Sequence, residues 1–311
     1  GFSITCAHVN HHLRGGESDE DEEFVRALCE RLGVALHTAD GTLDPLIVRA
    51  RGIEAAAREV RYARLTGIRE TVGARFVATA HQKNDQAETV LMRLAGGGGI
   101  ASLRGIHPVR DDGFIRPMLE VGREQVERFL AGHNVTPRFD RSNADPRFFR
   151  NRVRAAVREL DAVDALATIA SQAQMVWPIL ERAIDEADRA FATATDQETR
   201  FDGWPENRWL RQALLHRHIR RLDRTARDVS ARDLERLSAE CESIRRVTVT
   251  RTLELISRHG RTILRRRPEP AGEFDLPLSE ESPAFIPWVR ITVHLARVRS
   301  IPEGHPLGGS D

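Results

Sequence analysis

The part of the sequence best suited to chemistry is residues 79–89, which read T-A-H-Q-K-N-D-Q-A-E-T. This stretch supplies an imidazole and two carboxylates, from His81, Asp85 and Glu88. The apolar run before it is typical of a buried strand, and the apolar spacing after it is typical of a helix. Ligands of open α/β sheets bind at the carboxyl ends of the strands. The stretch therefore predicts a binding or catalytic site where a strand is followed by a helix.

The same residues also allow a purely structural interpretation. Either Asn84 or Asp85 can cap the helix, and Asp85 and Glu88, three residues apart, then share one helix face. A solvated acidic first turn would explain both carboxylates without any chemistry. Both interpretations stay open at this point.

The first half of the chain alternates short apolar runs with helical patterns. Strands are predicted at residues 34–38 and 76–80, and a helix is predicted at residues 52–71. Ser18 and Asp21 have the spacing of a capping box for an earlier helix. Strands separated by helices favour parallel pairing with right-handed crossovers. We therefore predict an α/β fold with a doubly wound parallel sheet.

The second half has a different pattern. From about Leu160 to Val247 we expect helices and no strand, with Ser230 and Asp233 capping one of them. Alternation over residues 248–264 predicts strands with a turn at His259-Gly260. We therefore predict a mainly helical second domain. The predicted limits are 1–158 for the α/β domain, 159–246 for the helical domain, and 247–311 for a short β segment and tail.

Composition excludes several classes of protein. The 311 residues are 41% apolar and 30% charged, which is typical of a soluble globular protein, and no apolar run reaches membrane-spanning length. Three cysteines without a Cys-x-x-Cys pair argue against a disulfide framework, a zinc site or an iron–sulfur cluster. The net charge of +1 does not by itself indicate a nucleic-acid binder. Arginine is dense at residues 138–158 and 208–227, where it could contact phosphates or form ion-paired helix faces.

Further segments accompany residues 79–89 in a fixed order. They are I-E-A-A-A-R-E-V-R-Y at 53–62, a glycine-rich segment at 97–106, R-P-M-L at 116–119, D-R-S-N at 140–143 and R-N-R-V-R at 150–154. Together these segments resemble the motifs of tRNA(Ile)-lysidine synthases, which belong to the N-type ATP pyrophosphatase superfamily, including their H-x-x-x-D-Q-x-E-T signature. The resemblance covers about half of the chain.

The resemblance implies a ligase that forms a carbon–nitrogen bond on tRNA. ATP, with Mg²⁺, would adenylate the C2 oxygen of the wobble cytidine of tRNA(Ile) with a CAU anticodon, and the ε-amine of L-lysine would displace AMP. It also implies a cytoplasmic enzyme with no membrane partner, compatible with a homodimer, whose helical domain binds tRNA. The related tRNA thiolation enzymes are disfavoured because they rely on cysteine pairs.

The resemblance also assigns roles to residues. It gives recognition of cytosine and lysine, and general-base catalysis, to Asp85 and Glu88, with Arg61 as a third catalytic residue in the same pocket. The residues that it assigns to substrate or tRNA binding are Arg58, which would orient the carboxylates, His81, Arg116, Arg150, Asn151 and Arg154. The structural alternatives are a core histidine for His81 and an ordinary strand end before a proline for Arg116.

The sequence departs from this family pattern at three places. No S-G-G-x-D-S phosphate loop precedes the first strand, so we expect the first strand, the loop and the first helix to be missing and the chain as it stands to be inactive. Asn10, His11 and Arg14 resemble the family's adenine-side residues, with Asn10 where an aspartate is usual. Lys83-Asn84 replaces the commoner Ala-Asp. The alternative function is a tRNA-binding protein that has lost its ATP chemistry.

Overall fold

The computed structural model describes residues 2–138, 147, 149–223, 229–241, 243, 246–258, 261–267, 284–286 and 291–293. The chain divides into two compact units, Gly1–Arg182 and Ala183–Asp311, with the boundary inside a long helix. Within the described ranges, no helix is both long and apolar enough to span a membrane. The predicted domain limits at residues 158 and 246 stay predictions.

The first unit begins as a parallel α/β fold, which confirms the predicted fold class. Its elements are β1 (Cys6–Asn10), α1 (Gly16–Leu32), β2 (Leu36–Asp40), α2 (Pro45–Arg51), α3 (Ile53–Thr71), β3 (Val77–Ala78), α4 (Lys83–Ala95) and β4 (Phe114–Ile115). β1 pairs in parallel with β2, from Cys6 opposite Leu36 to Asn10 opposite Asp40. β3 pairs in parallel with β4, with Val77 opposite Phe114.

The start of α1 differs from the prediction. The expected capping box of Ser18 and Asp21 is wrong, because the helix already begins at Gly16, after Gly15 in a positive-φ conformation (φ 56). The Ser18 hydroxyl instead accepts a hydrogen bond from the backbone N–H of Arg14 at 3.2 Å. The other end follows the sequence signal, because Gly33 adopts the left-handed conformation (φ 64) that commonly closes helices.

The start of α4 determines where the carboxylates lie. The N-cap is Gln82, so the prediction of Asn84 or Asp85 as the cap is wrong. Asp85 is the third residue of the helix, and its Oδ2 accepts the backbone N–H of Gln82 at 3.0 Å. Asn84 bonds elsewhere, because its Oδ1 accepts the backbone N–H of Arg123 at 3.0 Å. Since Arg123 opens α5 (Arg123–Gly132), Asn84 ties the start of α5 to the start of α4.

Two later helices pack against α4. They are α6 (Phe149–Glu159) and α7 (Val163–Phe191). Buried residues from all three helices form one core cluster, namely Ala87 and Val90 of α4, Val153 and Val157 of α6, and Leu166 and Ala170 of α7. This packing fixes one face of α6 against α4. The D-R-S-N motif at 140–143 and the predicted helix cap at 145–146 lie outside the described residues.

The second unit contains an antiparallel sheet of five strands, ordered β5-β6-β9-β8-β7. Its elements are β5 (Ala192–Ala194), β6 (Glu198–Phe201), α8 (Arg208–Leu222), α9 (Ala231–Glu240), β7 (Arg246–Thr248), β8 (Leu253–Arg258) and β9 (Arg261–Arg266), with β10 (Ala284–Ile286) pairing with β11 (Ile291–Val293) separately. The predicted capping box of Ser230 and Asp233 at α9 is confirmed. The β8 and β9 strands confirm the alternating pattern, and their predicted turn lies outside the described residues.

The prediction of no strand between Leu160 and Val247 is wrong. β5 and β6 lie in this segment, and β6 pairs with β9, with Phe201 opposite Thr262. The reason is that β6 has only four residues, of which Thr199 and Phe201 are buried, so its alternation is too short to stand out between helical patterns.

We predict that Asn84→Ala destabilises the first unit by about 1 kcal/mol, because the first turn of α5 loses a side-chain acceptor for a backbone N–H. Urea unfolding of the wild-type chain and the variant measures the difference. Asn84→Asp is the matched control, since a carboxylate accepts the same bond. Equal loss in both variants would show that the Asn84–Arg123 bond contributes nothing.

Candidate functional site

The two signature carboxylates lie opposite two arginines of α6. Asp85 and Glu88 project from the first turns of α4, and Arg150 and Arg154 project together from α6. Since arginines four residues apart share a helix face, α6 presents both guanidinium groups to α4 at once. Arg152, by contrast, donates to the carbonyl of Arg147, as expected for a residue on another face. The site is therefore an interface of two helices.

Glu88 is the centre of this interface. Its side chain is only 5% exposed, and it accepts hydrogen bonds from Arg154 Nε at 2.8 Å and from Arg150 Nε at 3.2 Å. Arg154 Nη2 adds a longer bond at 3.4 Å. A buried carboxylate is expensive unless cations and donors offset its lost hydration, and here two arginines do so. The hydrogen bond with Glu88 in turn raises the pKa of Arg154 above its usual value.

Asp85 is more accessible and has two separate partners. Its Oδ1 accepts from Arg150 Nη2 at 3.1 Å, while its Oδ2 accepts the backbone N–H of Gln82. The Asp85 side chain is 21% exposed. Arg150 therefore bridges both carboxylates, and Asp85 is the one that a ligand could reach with less rearrangement.

His81 lies close to the same charges. Its Nδ1 is 2.9 Å from the Thr79 hydroxyl oxygen. The pKa of His81 is lowered from 6.5, mainly by burial. The charge of Asp85 acts in the opposite direction, and the charges of Arg116, Arg58 and Arg150 lower the pKa further. His81 is therefore neutral at pH 7, in a region of positive potential.

Two arginines of α3 add to that potential. Arg58 was expected to orient the carboxylates, but its Nη2 donates to the Tyr62 hydroxyl at 3.2 Å. The guanidinium groups that contact Glu88 are those of Arg150 and Arg154. Although the Arg61 side chain retains solvent exposure, its pKa is lowered by desolvation and by the charges of Arg58 and Arg150. Because burial and neighbouring positive charges disfavour the charged form of Arg61, an anionic ligand beside it would stabilise that charge.

Arg116 follows β4 and is almost fully buried. It is 4% exposed, and its Nη1 donates to the His107 carbonyl at 2.6 Å. Its Nη2 is 3.5 Å from the Tyr62 hydroxyl. Tyr62 thus connects Arg116 to α3, and the neighbouring guanidinium groups of Arg116, Arg58 and Arg110 outweigh burial to lower its pKa.

Sequence reasoning gave no role to Tyr62. It is the single tyrosine of the chain, its ring packs on Phe114 with centroids 4.6 Å apart, and Arg58 and Arg110 lie 4.7 and 4.9 Å from the ring centre. Its place beside two arginines in the segment at 53–62 was the only signal available. Gln82, as the helix cap, also had no sequence signal.

The predicted adenine-side residues form a separate group at the end of β1. Asn10 is buried, and its Nδ2 donates to Asp19 at 2.9 Å and Glu22 at 3.3 Å. His11 Nδ1 is 2.8 Å from the Gly41 carbonyl oxygen, and Arg14 pairs with Asp21. The His11 ring nitrogen Nε2 is buried and has no hydrogen-bond partner in the described ranges. Because Nδ1 donates to a carbonyl, Nε2 is an acceptor.

The structure thus brings together most of the predicted site. The residues gathered around the start of α4 are Arg58, Arg61, His81, Asp85, Glu88, Arg116, Arg150 and Arg154, with Asn151 on α6 between the last two arginines. Asn10, His11 and Arg14 lie at the carboxyl end of β1, in the other parallel strand pair. Over the described ranges, no group of three or more His, Cys, Asp or Glu side chains is placed to hold a metal ion.

A family model described as "PP-loop domain" matches residues 1–160, and the chain belongs to this family. A tRNA(Ile)-lysidine synthase of Porphyromonas gingivalis is 43% identical over 161 residues, which cover 51% of this chain and 36% of that protein. One of Clostridium tetani is 30% identical over 231 residues, or 71% of this chain and 50% of that protein. The chain therefore spans at most about half the length of these relatives.

A solved structure, the U34-tRNA thiolase NcsA from Methanococcus maripaludis with its [4Fe-4S] cluster, is similar with a TM-score of 0.44 and 16% identity. The similarity covers 55% of this chain and 60% of that one.

We predict that Glu88→Gln lowers the free energy of unfolding by about 2 to 3 kcal/mol, because two arginines lose their shared counter-charge. This is less than for a fully enclosed pair, since Arg150 and Arg154 keep 34% and 23% of their side-chain surface exposed. Urea unfolding measures the loss. Asp85→Asn, at the more exposed carboxylate, should cost clearly less, and the reverse order would contradict the central position of Glu88.

We predict that His81 titrates below pH 6.5, because burial and three arginines disfavour its cation. Since the folded protein binds this proton less readily than the unfolded chain, His81 contributes to a loss of stability as the pH falls below 6.5. An NMR titration of the imidazole resonances gives the midpoint, with the His81→Gln spectrum identifying the signal among twelve histidines. A midpoint above 6.5 would contradict the arginine environment.

Proposed function

We propose that this chain forms part of a tRNA(Ile)-lysidine synthase. The enzyme transfers the AMP group of ATP to the C2 oxygen of the wobble cytidine in tRNA(Ile) with a CAU anticodon, which releases pyrophosphate, and the ε-amine of L-lysine then displaces AMP. The supports are membership in the PP-loop family and the similarity to two proteins named for this activity. The observation that carries the proposal is the arginine-rich cluster around the signature carboxylates.

The charges of the cluster suit a phosphate-bearing substrate. Arg150 and Arg154 largely neutralise Asp85 and Glu88. Three further arginines, Arg58, Arg61 and Arg116, then leave the pocket with an excess of positive charge. Guanidinium groups bind phosphates in bidentate fashion and stack on unpaired bases, so both ATP and an extruded nucleotide fit this environment.

Asp85 and Glu88 have different partners and different exposure, and we therefore propose different roles for them. Glu88 is buried and saturated by arginine donors, so it holds Arg150 and Arg154 in place for the nucleotide or tRNA phosphates. Asp85 has the more exposed carboxylate and takes the lysine ammonium and the proton released when the carbon–nitrogen bond forms. His81 contacts the cytosine or a phosphate as a neutral side chain.

ATP enters with Mg²⁺ as its complex. Arg58 and Arg61 would hold its phosphates, because they lie three residues apart on one face of α3 and the charges of Arg58 and Arg150 both act on Arg61. On the adenine side, the buried acceptor His11 Nε2 suits an amino-group donor, which supports Asn10, His11 and Arg14 as the residues around the base. When bound, ATP would supply the phosphorus atom to which the C2 oxygen of the cytidine becomes bonded. A function on tRNA places the enzyme in the cytoplasm.

The proposal is tested by ATP-dependent incorporation of labelled L-lysine into tRNA(Ile) with a CAU anticodon, using the complete gene product that carries this chain. We expect incorporation by the wild type and its loss in Asp85→Asn, because the amide neither attracts the ammonium nor accepts the proton. Arg128→Gln, an exposed α5 position away from the cluster, is the control. Absence of incorporation in the wild type, or full activity in Asp85→Asn, would contradict the proposal.

A further inference from the structure

The first unit contains a cavity of about 750 Å³ on the other side of α4. Its walls come from α4, from the segment at 108–120 and from the first half of α7. The α4 residues in the wall are Lys83 and Gln86, each two positions before a signature carboxylate. Two positions correspond to a rotation of about 200° around a helix. The cavity therefore lies opposite the face that carries Asp85 and Glu88.

Arg116 is the residue that makes this cavity chemically distinctive. It lines the cavity, it is 4% exposed, and its Nε has no hydrogen-bond partner among the described residues. Its other donors go to a neutral carbonyl and a tyrosine hydroxyl. Over the described ranges, no carboxylate pairs with it within 4.0 Å, whereas buried charges in proteins are normally paired.

The electrostatic surroundings agree with an uncompensated cation. The charge of Arg116 contributes to lowering the pKa values of His81, His107 and Tyr62. For the two histidines, burial is the larger cause. Three neighbouring groups on three segments therefore experience its positive charge.

The other residues of the cavity wall indicate the chemistry of the uncharged part of the ligand. Ile115, Leu119 and Val109 supply apolar surface, and Thr168 and Ser171 of α7 supply hydroxyl groups. The second cation of the wall, Lys83, already pairs with Asp164 at 2.9 Å. The other carboxylate of the wall, Glu120, is exposed to solvent, so Arg116 is the buried cation available to a ligand, in a wall with both polar and apolar surface.

We propose that this cavity binds a small organic oxyanion, with its carboxylate or phosphate group on Arg116 and its apolar part against Ile115 and Leu119. The cavity shares Arg116 with the arginine-rich pocket but lies on the opposite face of α4 from the carboxylates, and the proposal does not depend on the lysidine chemistry. An oxyanion would supply the counter-charge that Arg116 lacks, and the apolar wall would select an organic body over a bare inorganic ion.

Calorimetric titration of the wild-type chain with phenyl phosphate, benzoate and benzyl alcohol at low salt tests this proposal. We expect at least one oxyanion to bind, and benzyl alcohol, which has the ring without the charge, to bind clearly more weakly. Binding of phenyl phosphate alone identifies a phosphate site, and binding of benzoate alone a carboxylate site. The proposal is overturned if neither oxyanion binds up to about 10 mM, or if benzyl alcohol binds equally well.

Two variants locate the binding. Arg116→Gln should weaken the oxyanion at least about tenfold, since a charge-assisted hydrogen bond is lost. Thr168→Trp should block the cavity from an exposed position on α7, and Ile169→Trp, at an exposed position about 100° further round the same helix and outside the cavity wall, is the matched control. If circular dichroism shows that Arg116→Gln is unfolded, the difference in oxyanion binding between Thr168→Trp and its control variant tests the proposal. Unchanged binding in Thr168→Trp would overturn the proposal.

Discussion

The structure of the site depends on one constraint, the burial of the Glu88 carboxylate. A carboxylate with 5% of its side chain exposed must be paired, and its partners come from a helix more than sixty residues away in sequence. The pairing holds α6 on α4, while Val153 and Val157 pack on Ala87 and Val90 beside it. Polar and apolar contacts thus specify the same docking of the two helices. The arginines that stabilise this docking are also those that give the site its positive charge.

The rest of the site follows from this arrangement. With Asp85 and Glu88 neutralised from α6, Arg58 and Arg116 form no ion pair in the part of the chain that the structure describes, and both act on His81 and Tyr62. A pocket of this kind attracts phosphates, which agrees with membership in the PP-loop family. The same excess of charge extends through Arg116 to the cavity behind α4. One buried arginine thereby connects two regions with different chemistry.

Much of this could be predicted from the sequence, because the decisive signals are local. The periodicity around residues 79–89 predicted a strand followed by a helix, and the four-residue spacing of Arg150 and Arg154 is enough to put them on one face of any helix that contains them. Their partners could not be predicted, because spacing within a helix does not tell which other helix will face it. Asn84 shows the same limit, since it has the residue type of a cap but its side chain accepts the backbone N–H of the first residue of α5 and none of α4. The short strands β5 and β6 depend on pairing with β9, a long-range contact that a few alternating residues do not reveal.

A double-mutant cycle between Glu88 and Arg154 tests the central claim most directly. The free energies of unfolding of the wild type, Glu88→Gln, Arg154→Gln and the double variant give the coupling between the two side chains. If this buried pair holds α6 on α4, the coupling should be favourable by about 1 kcal/mol or more. Additive losses, with a coupling near zero, would contradict the account and leave the docking of α6 to its apolar face alone.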